Sequence, residues 1–256
     1  ARVLMDIIVL GLSHKTAPIE LREKLHVPES ELPEVLEQLG GCGQIEERMI
    51  LSTCNRVETY AVVDDVDGAR QFLVEFLAER HKLPSQAFEP SLYLLTADQA
   101  IRHIFRVASS LDAMVVGESQ ILGQVKAAYA VALERDATGL ILNALMERAL
   151  RVAKRVRTET GIATLAVSVS TAAIELAKKI FGDLTGRTVM LIGAGKMSEL
   201  SAKHLLADGV STVIVTNRHF DRAVELAERW GGRAVPFDQA KSEMVQADIV
   251  ISSTGA

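Results

Sequence analysis

Apolar and polar positions alternate along this chain in two textures. Residues 5–12 form a run rich in Ile, Val and Leu that ends at Gly11-Leu12-Ser13, the pattern of a buried strand entering a loop. Residues 19–39 read as helix with a break near Pro28, and Gly40-Gly41-Cys42-Gly43 stops them. Residues 48–53 and 57–63 are predicted as strands on either side of Cys54-Asn55-Arg56, a turn expected to project those three side chains outward. Phe72, Leu73, Phe76 and Leu77 recur at helical spacing within residues 67–83, a short strand follows at 93–95, and another helix starts at Ala97. The order βαββαβ predicts a ferredoxin-like α+β split sandwich.

From residue 120 to about 182 helix formers dominate, with Gly139 and Gly161 as interruptions, so a helical connector is expected. Beyond Gly182 the texture becomes strand at 188–192, glycine turn at 193–195, helix at 198–208 and strand at 212–216, with further short strands at 233–237 and 248–252. That is a Rossmann-type doubly wound α/β domain. The expected plan is a catalytic domain over residues 1–116, a connector over 117–182 and a nucleotide domain over 183–256. Such sheets usually have about six strands, and a fourth strand left as an uncovered apolar edge is avoided in nature. The nucleotide domain is therefore expected to be incomplete and the chain a fragment, the alternative being a small domain whose sheet a partner chain finishes.

Composition narrows the function. With 28 basic and 33 acidic residues the 256-residue chain has net charge −5, which excludes a protein whose whole surface grips nucleic acid. A local patch remains open: Arg148, Arg151, Lys154, Arg155 and Arg157 crowd one stretch, as a solvated helix face or as a phosphate-contacting surface. Cys42 and Cys54 are the only cysteines and supply neither a metal ligand set nor a disulfide framework, so a reducing compartment is expected. No apolar run reaches the ~20 residues a bilayer needs, and the first residues lack the basic-then-apolar order of a signal peptide. A soluble protein is expected.

Several residues carry candidate chemistry. Gly193-Ala194-Gly195-Lys196-Met197-Ser198 follows an apolar strand and opens a helix, so a pyrophosphate can approach the backbone N–H groups at the helix start. The next strand ends in Thr216-Asn217-Arg218, where an NAD site usually carries a carboxylate. Arg218 suits a 2′-phosphate and Asn217 can donate beside it, which favours NADP. Cys54 sits in a polar turn where Arg56 is placed to stabilise a thiolate; a lone cysteine is also commonly a small buried residue. Among six histidines, His14 beside Lys15 and His103 near Arg102 and Arg106 are candidates for work on a charged substrate.

Three strings in order, Gly11-Leu12-Ser13-His14-Lys15-Thr16-Ala17-Pro18, Leu51-Ser52-Thr53-Cys54-Asn55-Arg56-Val57-Glu58 and Val116-Gly117-Glu118-Ser119-Gln120-Ile121-Leu122-Gly123-Gln124, closely resemble glutamyl-tRNA reductase. The likeness continues through Ala153-Lys154-Arg155-Val156-Arg157-Thr158-Glu159-Thr160 and the Gly193 loop. The resemblance implies NADPH-dependent reduction of glutamyl-tRNA(Glu) to glutamate-1-semialdehyde, the first committed step of tetrapyrrole and haem synthesis. By the same likeness Cys54 is the nucleophile that forms a thioester, and His103 is the histidine that supports activity. Thr53, Asn55 and Arg56 would hold the glutamyl group, and Glu118, Ser119, Gln120 and Gln124 would complete its pocket. One departure is Leu111-Asp112-Ala113, where many members read Leu-Asp-Ser, so one substrate hydrogen bond is expected to be missing.

Family members also have a C-terminal helical dimerisation domain, so the resemblance implies a V-shaped homodimer, with the aminomutase that consumes the semialdehyde as partner. A bacterial cytosol is the simplest home, a plastid stroma the other. Two alternatives compete: an NADP-dependent dehydrogenase of a small polyol acid, similar to shikimate dehydrogenase in its Asn217-Arg218 ending and needing no thiol, and a non-catalytic NADP-responsive binding protein.

Overall fold

The computed structural model describes residues 5–118, 120–163, 169–194 and 196–252. The chain divides into two compact units, Ala1–Ala166 and Val167–Ala256.

In the first unit the elements follow as β1 (Asp6–Ser13), α1 (Ile19–Leu25), α2 (Leu32–Leu39), β2 (Ile45–Thr53), β3 (Arg56–Val63), α3 (Val66–His81), β4 (Tyr93–Thr96) and α4 (Ala97–Ala108). The sheet order is β2-β3-β1-β4, and all its pairs are antiparallel. This is the expected ferredoxin-like topology: β2 and β3 form a hairpin around Cys54, while the longer α1–α2 and α3 connections carry the chain across the sheet. Ile8, Val9, Tyr60, Ala61, Val62 and Val63 have no exposure, so the central strands form the core.

Two further helices, α5 (Gln120–Glu134) and α6 (Leu140–Glu159), belong to the same core. Ile121, Val125, Ala128 and Ala132 bury one stripe of α5, and Leu142, Leu145, Met146, Ala149 and Ala153 one stripe of α6. The stretch expected as a connector, residues 117–182, is thus divided: its first two helices pack on the first unit and α7 (Val169–Phe181) packs in the second. The reason is local. Glu47 of β2 is 8% exposed and accepts the backbone N–H groups of Ile141 (3.0 Å) and Leu142 (2.6 Å), capping α6 from a neighbouring strand. A Cβ on Gly139 would meet the Glu47 carboxylate at 2.7 Å, so the glycine makes room for the cap. Arg48 N–H also donates to Ala137 O at 2.7 Å, fastening the α5–α6 loop to β2.

The second unit contains β5 (Thr188–Ile192), α8 (Lys196–Ala207), β6 (Thr212–Asn217), α9 (Phe220–Arg229), β7 (Arg233–Pro236) and β8 (Ile249–Ser252). Its parallel sheet has the order β7-β6-β5-β8, the order of a Rossmann sheet read from its third to its fourth strand. Val189, Met190, Leu191, Val213, Ile214 and Val215 are buried, as expected of parallel strands covered on both faces. Helix α9 was not legible from the glycine and strand punctuation; its apolar stripe is short, with Ala223, Leu226 and Ala227 buried. No helix among the described residues is long and apolar enough to cross a membrane.

The Glu47 cap leads to a stability prediction. Glu47→Ala leaves two helix N–H groups without their acceptor and is expected to cost about 1–3 kcal/mol in urea denaturation; a cost within about 0.5 kcal/mol would show that water replaces the cap.

Candidate active site

The β2–β3 turn is built by short-range hydrogen bonds. Thr53 Oγ1 accepts the N–H groups of Asn55 and Arg56, both at 3.2 Å, and this leaves Cys54 at the exposed apex. From α1, the buried Arg22 donates through Nε to Cys54 O (3.1 Å) and through Nη1 to Ala17 O (2.7 Å). His14 N–H donates to Asn55 O at 2.8 Å from the end of β1.

Arg56 does not project outward as the turn suggested. It begins β3 and is 1% exposed, because its side chain lies on the same strand face as Glu58, two residues on. Nη1 donates to Glu58 Oε1 at 2.7 Å, while Nη2 donates to Asp112 O and reaches Asp112 Oδ1 at 3.3 Å. Asp112 also pairs with Lys15 Nζ at 2.6 Å. Arg56 is therefore a buried strut between a strand and the loop after α4.

Glu58 is the centre of this arrangement and has no exposure. Its Oε1 accepts Arg56 Nη1, Tyr93 OH and His103 Nε2 (2.8 Å), and its Oε2 accepts Tyr60 OH at 2.5 Å. Burial alone would push this carboxyl up, but the His103 hydrogen bond, the Arg56 charge and the Tyr60 hydroxyl hold it down at about 2. The same carboxylate and burial push both tyrosine hydroxyls far above their ordinary range. Gly11 makes the geometry possible: in the register it stands opposite Glu58 on one side and Tyr93 on the other. A Cβ there would meet Val57 O at 2.5 Å and Glu58 Cα at 2.8 Å, so only glycine lets Tyr93 of β4 reach Glu58 of β3 across β1. His103, on α4, stacks on Tyr60 (6.5 Å between centroids) and meets Tyr93 edge-on (5.7 Å).

The loop from α4 to α5 brings Glu118 to the site. Ser110 and Gly117 have positive φ (61° and 89°), and Glu118 O accepts Ser110 Oγ (2.7 Å) and Arg157 Nη1 (3.3 Å). Burial raises the half-buried Glu118 carboxyl, with the Arg56 charge opposing. Surrounding protein also raises the Cys54 thiol, and the Glu118 charge adds to the effect, while Arg22 acts in the other direction. Arg56 was expected to lower this thiol; instead its guanidinium is turned to Glu58 and Asp112, and Arg22 is the cation beside Cys54. Gln120 and Gln124, four residues apart and half-buried, share one face at the start of α5. Ser119 lies outside the described residues. Ala113 is buried.

In the second unit Gly193 follows β5 with φ 104° and donates its N–H to Thr216 O at 2.8 Å, so the turn needs glycine and leads into the twelve-residue α8. Ala194 is half-buried and Ser198 fully buried. Gly195 lies outside the described residues, as do the side chains of Lys196 and Met197. Asn217 closes β6, donating Nδ2 to His219 O at 3.1 Å, and Arg218 follows it exposed. A glycine turn at a helix start, with a guanidinium and no carboxylate after the second strand, fits a dinucleotide with a 2′-phosphate.

Residues 10–160 match the family model described as glutamyl-tRNAGlu reductase, N-terminal domain. The chain belongs to the glutamyl-tRNA reductase family. Residues 175–256 match the shikimate/quinate 5-dehydrogenase model, which leaves the dehydrogenase alternative with a counterpart for the second unit alone. Glutamyl-tRNA reductases of Trichlorobacter lovleyi and Geobacter sulfurreducens are each 54% identical over 252 residues, 98% of this chain and 58% of their own lengths. The solved glutamyl-tRNA reductase of Methanopyrus kandleri is 37% identical, with a TM-score of 0.57 over 98% of this chain and 59% of its own. The chain thus spans about 58% of the length of these curated family members.

Glu58, Tyr60, Tyr93, Arg22 and Asp112 were not singled out by sequence reasoning. A signal existed for two of them: Arg56, Glu58 and Tyr60 stand at every second position of β3, which places three polar side chains on one face.

Two predictions follow from these charges. Because the Glu58 carboxyl is depressed from an ordinary 4.5 to about 2, its stabilisation is complete above pH 4.5 and lost as pH falls through about 2. Glu58→Gln is expected to be less stable at neutral pH by ~3–5 kcal/mol, with the gap to the parent closing across that window; a gap independent of pH in denaturant titrations contradicts this. For Cys54, removing the nearby negative charge in Glu118→Gln should lower the thiol pKa, so iodoacetamide should alkylate Cys54 several-fold faster at neutral pH. An unchanged rate would place Glu118 outside the thiol's surroundings.

Proposed function

We propose that this chain carries the acyl-transfer and reduction chemistry of glutamyl-tRNA reductase, converting glutamyl-tRNA(Glu) to glutamate-1-semialdehyde for tetrapyrrole synthesis. The observation that carries this reading is the exposed Cys54, held at the apex of a hydrogen-bonded turn in the same unit as the buried Arg56–Glu58–His103 cluster. In the first step Cys54 Sγ attacks the carbonyl carbon of the glutamyl ester. The carbon–oxygen bond to the terminal ribose breaks, the thiol proton passes to that ribose oxygen, and free tRNA leaves a glutamyl thioester on Cys54.

The raised thiol pKa means that Cys54 rests protonated, so attack needs a proton acceptor. Glu118, whose own pKa is raised and whose charge acts on the thiol, is suited to take that proton and deliver it to the ribose. Thr53 and Asn55 offer polar groups to the glutamyl moiety beside the nucleophile, with Ser119, Gln120 and Gln124 completing its pocket. Arg56 and His103, both tied to Glu58, hold the shape and charge of the site from beneath.

NADPH, when bound, supplies the hydride that reduces the acyl group to the aldehyde and frees the thiol. Gly193, Ala194, Gly195, Lys196, Met197 and Ser198 would hold its pyrophosphate at the α8 N-terminus, and Asn217 and Arg218 its 2′-phosphate. Arg148 and Arg151, exposed on α6, are suited to the phosphates of the tRNA. Assembly as a homodimer through a further C-terminal domain, hand-over of the unstable aldehyde to an aminomutase, and a bacterial cytoplasm complete the proposal. In this reading the first compact unit, Ala1–Ala166, acts on the acyl group and the second, Val167–Ala256, on the cofactor.

A single-turnover incubation with glutamate-labelled tRNA, without NADPH and quenched in acid, tests the first step by intact mass. The parent is expected to carry a glutamyl adduct that hydroxylamine removes, and Cys54→Ser to carry none. No adduct on the parent, or an adduct that persists in Cys54→Ser, overturns the assignment.

A further inference from the structure

The loop 135–139 turns α6 back along α5, and the first half of one helix faces the last half of the other. Between them lies a cleft of about 280 Å³ lined by Leu122, Gly123 and Lys126 from α5 and by Leu150, Lys154 and Arg157 from α6. Three of these six residues are cations and none is an acid. Lys126 and Lys154 are exposed and form no ion pair among the described residues. Leu150, Lys154 and Arg157 stand at i, i+4 and i+7, so they share one face of α6. Arg148, Arg151 and Arg155 lie around the helix on the adjoining side, where Arg155 is tied to Glu159 at 2.8 Å. The basic stretch therefore divides into a cleft wall and an outer face.

Gly123 points to an occupant. It sits inside the regular α5 helix, where glycine is unfavourable relative to alanine, and its backbone has no positive φ to justify it. A Cβ built there meets nothing within 4 Å among the described residues. Neither helix geometry nor packing among the described residues asks for glycine at this position. What glycine does is keep the wall of the cleft low, so that a ligand can approach the α5 backbone between the cations.

We propose that this cleft seats a backbone phosphate and its ribose from the acceptor end of the RNA substrate, with Lys126, Lys154 and Arg157 around the phosphate and Gly123 giving it access. The proposal rests on the glutamyl-tRNA reading above. RNA is favoured over a small anion because Arg151 and Arg148, exposed further along α6, offer a long polyanion further cations, with the exposed Glu147 as the acid beside them. It is favoured over the dinucleotide because the Gly193 turn in the second unit already offers that ligand a phosphate site. Arg157 links the cleft to the chemistry: the guanidinium that lines it also donates to Glu118 O, in the segment whose side chain acts on Cys54. A phosphate held there engages the residue that anchors the proposed proton acceptor.

The test measures binding of uncharged tRNA(Glu) across a salt series, together with Tm, for the parent, Gly123→Ala, Lys126→Ala and Lys154→Ala. Gly123→Ala is expected to raise Tm, because it improves the helix, and yet to weaken tRNA binding several-fold. Each lysine variant is expected to lower the slope of log K against log salt by about one contact's worth. If the parent binds tRNA and all three variants match its affinity and slope, the cleft proposal is overturned while the wider reading stands. If the lysine variants weaken NADPH binding and leave tRNA untouched, the cleft belongs to the cofactor and the proposal fails. A parent with no salt-dependent affinity for tRNA removes both the cleft and the reading beneath it.

Discussion

A carboxylate sealed from solvent sets the terms for the first unit. Transferring an ion such as Glu58 from water costs several kcal/mol even after relaxation, and that cost is offset only where donors surround it with good geometry. Four do so here, drawn from β3, β4 and α4. Each donor imposes a condition on the chain. Tyr93 can arrive only over a glycine at position 11, and Arg56 must turn inward from the very turn that exposes Cys54. His103 must present its Nε2 proton to the carboxylate, and this settles which ring nitrogen is committed. The hydrogen-bonding demand of one buried group thus aligns three strands and a helix in the unit that carries the proposed nucleophile.

The Cys54 thiol of the same unit follows the opposite rule. It is exposed at the apex of its turn, but protein around it and the Glu118 charge favour the protonated form. Both nucleophilic attack and oxidation proceed through the thiolate, so this environment works against each, and the proposed chemistry calls for a base beside the thiol. This differs from sites in which a neighbouring cation keeps a permanent thiolate, and the difference comes from where Arg56 points.

Charge distribution carries a related lesson. The whole chain is acidic by five units, yet α5 and α6 together present a cleft with three cations and no carboxylate among its lining residues. Net charge describes long-range steering, whereas phosphate recognition depends on which cations share a surface. The hairpin that makes this surface is held to the sheet by Glu47, a carboxylate spent on helix N–H groups rather than on a cation.

Much of this was legible in the residues themselves. Periodicity set the strands of both units and their main helices apart from α9, because apolar spacing must match the period of the element that buries it. The strings around Cys54 and Glu118 carried the family resemblance, and the Gly193 turn after an apolar strand marked the Rossmann-type domain. What the residues alone did not reveal were partnerships between positions far apart in the chain. Glu47 meets Ile141 and Leu142, Tyr93 meets Glu58 across Gly11, and Lys126 comes to face Lys154 only through helix pairing. Local sequence determines which way a side chain faces along its own element. Whether that side chain finds an ion, a hydroxyl or solvent is decided by the elements packed beside it, and so the direction of Arg56 and the resting state of Cys54 came from the tertiary structure.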